Sequence, residues 1–290
     1  MKQYTVKECL AAFCEKMNEK AAALGMHSAH FVDAAGIANE ASARDILRLV
    51  VAAAECAPLQ KVWSTREYTA CIGGENAREI PLVSKTLANV TSGCLTDHYH
   101  ILGGKGGTLT RQRAFSTAVL AQVEGEVLAC VVMYAQDAND GPQNRFEAAR
   151  RALDAALGKG EDTCAACAAV CRLSEPETLL YAKNVDEVKM PASMSKILTA
   201  LIVYEYLSED ETLFVTQELT DSVQPRGFYV EDIIAGDTLT VRDAMRLLML
   251  PSSNATAFLL AEAVGRKILE GEKTACFDCN FCPRCYNALW

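Results

Sequence analysis

The sequence predicts an α+β fold, and three observations carry it. Capped segments with helical periodicity occupy both ends of the chain, β-rich segments fill its middle, and short turn signals join those segments as hairpins. Over residues 5–23 the apolar side chains Val6, Leu10, Phe13, Met17 and Ala21 recur close to one helical face, and Gly25 stops the helix. A second helix follows Ser42, which forms a capping box with Asp45, and its face of Ile46, Leu47, Val50 and Val51 must pack on something. From about 62 to 135 the texture turns to strand, with 115–123 and 126–134 flanking a Glu124-Gly125 turn. Residues 144–157 return to helix, and the polar link 158–162 leads to a strand pair over 165–173 and 178–182 joined by Ser-Glu-Pro-Glu. Beyond it the chain is mostly helical: Pro191 suits a first turn, and 193–207 is an apolar, buried helix. Thr240 and Asp243 cap a helix over 241–250, Pro251 breaks it, and 255–264 forms another. There is no internal repeat.

Composition narrows the classes. With 290 residues, half of them hydrophobic, the chain can bury a substantial core. Its 28 Lys and Arg stand against 37 Asp and Glu, a net charge of −9 without a basic run, which argues against nucleic acid as a partner. Residues 1–20 lack a signal-peptide pattern and no long apolar run could span a bilayer, so the expectation is a chain not exported as written. Thirteen cysteines cannot all pair within one molecule and leave the redox compartment open.

Three short strings could carry chemistry. Ser193 and Lys196 lie three apart at the start of an apolar helix, so both project from one face. There a serine gains from the helix dipole as charge develops, and a buried lysine loses solvation and becomes a general base. Taken singly, such a pair is most often solvated helix surface. Pro251-Ser252-Ser253-Asn254 breaks between two apolar helices and could push a hydroxyl and an amide into a cleft, although Ser and Asn are also ordinary N-caps. Gly103-Gly104-Lys105-Gly106-Gly107-Thr108 enters a strand, where missing side chains allow close approach of a ligand or simply make a turn or bulge.

Together the three strings resemble the S-x-x-K, S-x-N and K-T-G triplet of the penicillin-binding and serine β-lactamase superfamily. The flanking text resembles serine-type D-alanyl-D-alanine carboxypeptidases: 191–200 around Ser193, Met17-Asn18, Leu24-Gly25-Met26, Phe31, Gly36-Ile37, Ser42-Ala43-Arg44-Asp45 and Arg145-Phe146-Glu147-Ala148. The order differs from the family's, because 5–157, with Lys105, corresponds to its second half and 163–270, with Ser193 and Ser252, to its first. The chain reads as a circular permutant: residues 1–270 as one catalytic domain closed through the 158–162 link, and 271–290 as a Cys-rich tail. In the alternative, each half completes its site in another molecule, as a domain-swapped homo-oligomer.

The resemblance implies a β-lactamase/transpeptidase-like fold in permuted chain order, with an antiparallel sheet of about five strands over roughly 99–183, flanked by helices, plus a helical subdomain. It implies hydrolysis of the terminal D-Ala-D-Ala bond of peptidoglycan stem peptides through an acyl-enzyme, with acylation by β-lactams. Ser193 attacks, Lys196 takes its proton, Ser252 and Asn254 relay protons and orient substrate, and Lys105 holds the carboxylate. The N–H groups of Ser193 and Thr108 make the oxyanion hole, Gly106 and Gly107 line the substrate, no cofactor is needed, and the setting is the cell envelope. Two departures bear on activity. Gly106 removes a hydroxyl that the family places near the carboxylate, which Thr108 could replace, so Gly106→Thr is expected to strengthen capture. No carboxylate of the class A β-lactamase kind follows Asn254, which disfavours rapid antibiotic hydrolysis.

Two other readings stay open. One is a non-hydrolysing binder of peptidoglycan or β-lactams. The other is a metal- or cluster-binding protein using Cys276, Cys279, Cys282 and Cys285, set against disulfides or a tail without function. Cys164, Cys167 and Cys171 read as small apolar strand residues, and His27, His30, His98 and His100 as structural or solvated.

Overall fold

A computed structural model describes residues 4–90, 95, 98–135, 144–160, 162–223 and 232–271. Helix α1 (Val6–Ala23) starts at a capping box between Thr5 and Glu8, and α2 (Ala43–Glu55) at the Ser42–Asp45 box read from the sequence. A short α3 (Ala57–Trp63) precedes a hairpin of β1 (Glu67–Gly74) and β2 (Arg78–Val83), then α4 (Lys85–Val90). The main sheet begins with β3 (His100–Leu109), β4 (Ala114–Val123) and β5 (Glu126–Ala135). Glu124 and Gly125 both take positive φ, 51° and 90°, the left-handed pair that a two-residue hairpin turn requires. Helix α5 (Asn144–Ala156) then leads to β6 (Ala165–Arg172) and β7 (Glu175–Lys183).

The five strands form one antiparallel sheet in the order β3-β4-β5-β6-β7. Strand β4 is buried on both faces: Ala118 and Leu120 join the core shared with α2, while Val119 and Ala121 face α5 through Phe146, Ala149 and Leu153. This double burial is why the strand reads as a continuous apolar run rather than an alternation. Pro176, expected in the turn, instead sits inside β7, an edge strand whose outer side needs no ladder donor.

The remaining elements are α6 (Lys196–Tyr206), β8 (Thr212–Phe214), α7 (Gln217–Val223), β9 (Asp237–Thr240), α8 (Val241–Met249) and α9 (Asn254–Leu269). Every residue of α6 is buried, which makes it the central helix, with α1, α8 and α9 packed around it. The region expected to be mostly helical also holds two short strands, β8 and β9, which join the β1–β2 hairpin in a four-stranded sheet of order β2-β1-β9-β8. Helix α1 lies along α9, and Tyr4 Oη donates to Leu269 O at 2.8 Å. The architecture is α+β with two antiparallel sheets and is of the transpeptidase/β-lactamase-like type.

Candidate active site

The string around Ser193 does not open a regular α-helix. A single 3₁₀ turn spans Ala192–Ser195, with Met194 N–H on Pro191 O, and α6 proper begins at Lys196. Ala192 holds a positive φ of 51°, a strained setting for a residue with a Cβ. The turn keeps Ser193 at the surface of the bundle while Lys196 lies fully inside it. There Lys196 Nζ donates to Ser193 Oγ at 3.0 Å, Ala35 O at 2.8 Å and Asn254 Oδ1 at 2.5 Å. Burial pushes the Lys196 ammonium down to about 7, with Lys85 acting in the same sense and Asp33 and Asp232 opposing it.

The Ala35 carbonyl belongs to a loop built around one buried side chain. Asp33 accepts the N–H groups of Ala35, Gly36, Ile37 and Ala38 at 2.6–3.1 Å. Asn39 closes the same loop, accepting from Val32 and Asp33 N–H and donating to Asp33 O. The loop thereby turns two carbonyls toward α6, Ala34 O accepting from Thr199 Oγ1 and Ala35 O from Lys196. The loop and the helix are 161 residues apart in sequence at the Lys196 contact.

Between α8 and α9 the Pro251 break does what the sequence suggests and divides its two serines. Ser253 is the N-cap of α9, accepting from Thr256 N–H. Ser252 takes a positive φ of 71° and points elsewhere, its Oγ accepting from Lys105 Nζ at 2.8 Å. Asn254 follows on the first turn of α9 and meets Lys196.

The opposite wall is the edge strand β3. Lys105 is 2% exposed and also donates to Gly106 O. Burial, and then the charges of Lys196, Arg145 and Lys85, hold its ammonium well below its ordinary value. A Cβ on Gly107 would stand 2.6 Å from Pro191 O and 3.3 Å from the Ala192 Cβ, so only glycine lets the strand approach the Ser193 turn this closely. Gly106 N–H donates to the Thr86 hydroxyl, which fixes the strand from its outer side. On the face of Gly106 and Thr108 lies Arg145, from the start of α5. Its Nη1 donates to Gly107 O and Ser116 O, and its Nη2 to Thr108 Oγ1 at 2.7 Å. Burial lowers the guanidinium to about 10, which leaves it charged at neutral pH. Tyr134, another positive-φ residue, accepts Met190 N–H and so ties β5 to the segment ahead of Ser193.

The arrangement is a hydroxyl on a buried lysine, a second hydroxyl on a second buried lysine, and a strand edge with a guanidinium beneath it. A family model described as D-alanyl-D-alanine carboxypeptidase matches residues 7–137 and 156–267. The chain belongs to the D-alanyl-D-alanine carboxypeptidase family. No curated protein and no solved structure is matched by it.

For this carboxypeptidase-family chain the structure joins Lys196 by hydrogen bonds to Ser193 and Asn254 and Lys105 to Ser252, two groups near enough for the Lys196 charge to act on Lys105, with Gly106, Gly107 and Thr108 following Lys105 on β3. Three residues of the site escaped the sequence reading. Arg145 stood in a family-like string without a role, and Asp33 and Thr86 carried no pattern that separates them from loop polar residues. Two expectations change. Gly106 is not an empty position, because Arg145 Nη1 lies 2.5 Å from where its Cβ would be. Cys164 precedes β6 and is exposed, whereas Cys167 and Cys171 are buried in it. The four histidines are all exposed, and among the described residues no group of three or more His, Cys, Asp and Glu could hold a metal ion. Cys276, Cys279, Cys282 and Cys285 lie outside the described residues. No helix among the described residues is long and apolar enough to cross a membrane.

Proposed function

We propose that the cleft hydrolyses the terminal D-Ala-D-Ala bond of peptidoglycan stem peptides through an acyl-enzyme on Ser193, and that β-lactams acylate the same serine. The observation that carries this reading is the 3.0 Å contact between Ser193 Oγ and a fully buried lysine shifted to about 7. Neutral Lys196 accepts the Ser193 proton as Oγ bonds to the carbonyl carbon. The N–H groups of Ser193 and Thr108 receive the developing oxyanion, an assignment supported by the Gly107 approach that brings their two segments together. Collapse breaks the C–N bond, and the proton that Lys196 took from Ser193 passes through Ser252, held by Lys105, to the departing D-Ala amine, which leaves Lys196 neutral again. Water then attacks the ester and gives a proton to Lys196, which passes it to Ser193 Oγ as the acyl C–O bond breaks. Asn254 holds Lys196 on its far side and orients the substrate.

The substrate carboxylate falls to Lys105, Thr108 and Arg145. Burial and the neighbouring positive charges hold the Lys105 ammonium below its ordinary value, and a carboxylate beside it acts in the opposite sense. We assign the site to one chain, residues 1–270 as a single permuted domain, rather than to a swapped pair. The support is the Lys105–Ser252 contact, which joins the two segments within one molecule across 147 residues of sequence. The cell envelope is where such a substrate occurs.

The test is incubation with a fluorescent penicillin followed by mapping of the labelled peptide. A single label on Ser193, absent from Ser193→Ala, together with release of D-Ala from a stem peptide, is the expected result. Labelling that survives Ser193→Ala would sink the reading. A stable label without D-Ala release would favour the non-hydrolysing binder.

A further inference from the structure

Tyr134 is a bulky residue held in a conformation that suits glycine. Between β4 and β5 the register runs from Thr117 opposite Val132 to Phe115 opposite Ala135, so Ser116 faces both Met133 and Tyr134 across a β-bulge. At that bulge Tyr134 takes a φ of 58°, and its N–H donates to Ser116 Oγ at 3.2 Å. A β-carbon makes this backbone costly, and such strain persists only where the surroundings over-determine it. The phenol end of the side chain supplies those surroundings. Tyr134 Oη donates to Gln112 Oε1 at 3.2 Å, Gln112 Nε2 donates to Met190 Sδ at 3.9 Å, and Met190 N–H donates back to Tyr134 Oη at 3.3 Å. The three bonds run in one sense around three residues, so each polarises the next.

This node spans both walls of the cleft. Gln112 ends the 3₁₀ turn of Thr110–Gln112 that follows β3, four residues after Thr108. Met190 stands three residues before Ser193 and next to Lys189, whose N–H and carbonyl pair with Ala41 at 3.0 and 2.9 Å. Lys189 Nζ also lies 5.4 Å from the centre of the Tyr134 ring. From Met190 the chain passes directly into the strained Ala192 turn, where a Cβ on Gly36 would stand 2.0 Å from Ala192 O. We infer that Tyr134 is a positioning residue: through Gln112 and Met190 it fixes the gap between the Thr108 and Ser193 N–H groups, and so the fit of an oxyanion between them. The inference rests on the Ser193 acyl-enzyme reading for its chemistry and on the hydrogen-bonded node for its geometry. Tyr134 acts on the turn and not on substrate, so its loss slows bond formation and spares noncovalent binding.

The experiment compares the full chain with Tyr134→Phe, Tyr134→Gly, Gln112→Ala and the Tyr134→Phe/Gln112→Ala double variant. Stopped-flow acylation by a fluorescent penicillin, measured per folded molecule, separates the dissociation constant of the noncovalent complex from the rate constant of bond formation. Tyr134→Phe keeps the ring and the backbone and should lower that rate constant by roughly tenfold, the worth of one or two net hydrogen bonds. The dissociation constant should be unchanged and Tm should stay within about 5 °C. Gln112→Ala should act alike, and the double variant should be no slower than the slower single variant, because either change opens the node. Tyr134→Gly suits the backbone better but lacks the brace, and should be at least as slow as Tyr134→Phe. An unchanged rate constant in Tyr134→Phe, a loss confined to the dissociation constant, a Tyr134→Gly chain at full rate, or additive losses in the double variant would overturn the inference. An unmodified chain that neither labels with penicillin nor releases D-Ala would instead sink the acyl-enzyme reading. The brace is then decided by amide hydrogen exchange at Met190, which donates to Tyr134, and at Met194, which donates to Pro191 O within the turn. Faster exchange at both in Tyr134→Phe supports the brace, and exchange unchanged at either refutes it.

Discussion

On the helical wall of the cleft Lys196 meets three oxygen acceptors, and two nearby carboxylates, Asp33 and Asp232, partly offset the cost of its burial. On the sheet wall Lys105 meets one carbonyl and one hydroxyl, and the neighbouring charges that act on it, Lys196, Arg145 and Lys85, are all positive. Two buried lysines of one cleft are thus tuned by different surroundings. The first sits near the midpoint of its titration at neutral pH, where a base is most useful. The second is held in a field that only an incoming anion relieves. The walls also differ in material: side chains and a carboxylate-knotted loop build the helical one, while absent side chains allow the sheet one to close in.

The largest break in this comparison comes from Lys196→Met, which keeps the apolar stem and removes the amine proposed as the base. Acylation by penicillin should fall by roughly 10²–10⁴-fold with the fold retained by circular dichroism, the range for a positioned general base. A rate within tenfold of the unmodified chain would assign the base elsewhere. For the unmodified chain the acylation rate should rise with pH below about 7 and level off above it, because the neutral amine is the active form. A rate that falls as pH rises through this range would contradict the assignment.

A smaller effect belongs to Asp33→Asn, which sharpens the role of the loop. The amide group would turn a donor toward the Ile37 or Ala38 N–H now facing carboxylate, at a cost of about 1–3 kcal/mol for a buried unsatisfied group. Urea unfolding measures that cost. Because the Asp33 charge raises the Lys196 value, its removal should also move the rise in acylation to lower pH. An unmoved profile with lowered stability would confine Asp33 to holding the backbone.

The smallest effect is expected at the surface. Arg44 and Asp186 form a two-bond ion pair, at 2.6 and 3.0 Å, between the two segments of the chain, but side-chain exposures of 36% and 68% leave it in water. Arg44→Ala should change stability by less than about 1 kcal/mol in chemical denaturation. A larger loss would mean that surface pairing, and not the shared core and cleft, holds the segments together.

Local devices were legible in the sequence because their partners lie within a few residues. The Ser42–Asp45 and Thr240–Asp243 caps, the Glu124-Gly125 turn, and the Ser193–Lys196 spacing all fall where expected. The second sheet was not, since β8 and β9 run to three and four residues and find their ladder partners far off in sequence, β8 on β9 and β9 on β1 as well. The left-handed turn at Ala192 was equally invisible, because an alanine gives no sign of positive φ and is held there by its surroundings. Of the two adjacent serines after Pro251, composition could not tell cap from cleft residue. Placement of Arg145 under residue 106 required the register of β3 on β4 and the seating of α5, both tertiary facts.

The packing of α1 on α9 has a consequence for how the molecule comes into being. Tyr4 and Leu269 meet across 265 residues, Lys196 and Ala35 across 161, and Lys105 and Ser252 across 147. Contacts of such high order form late, after loop closure has been met by nothing but local structure. While a nascent chain lengthens on the ribosome, α1 can coil, but Phe13 and Met17, fully buried in the finished protein, must wait for partners not yet synthesised. The Asp33 loop waits likewise for the lysine it will hold. Productive folding therefore depends on keeping an early apolar helix from sticking to its neighbours, and a chaperone that shields α1 during synthesis should raise the yield of chains able to react with penicillin.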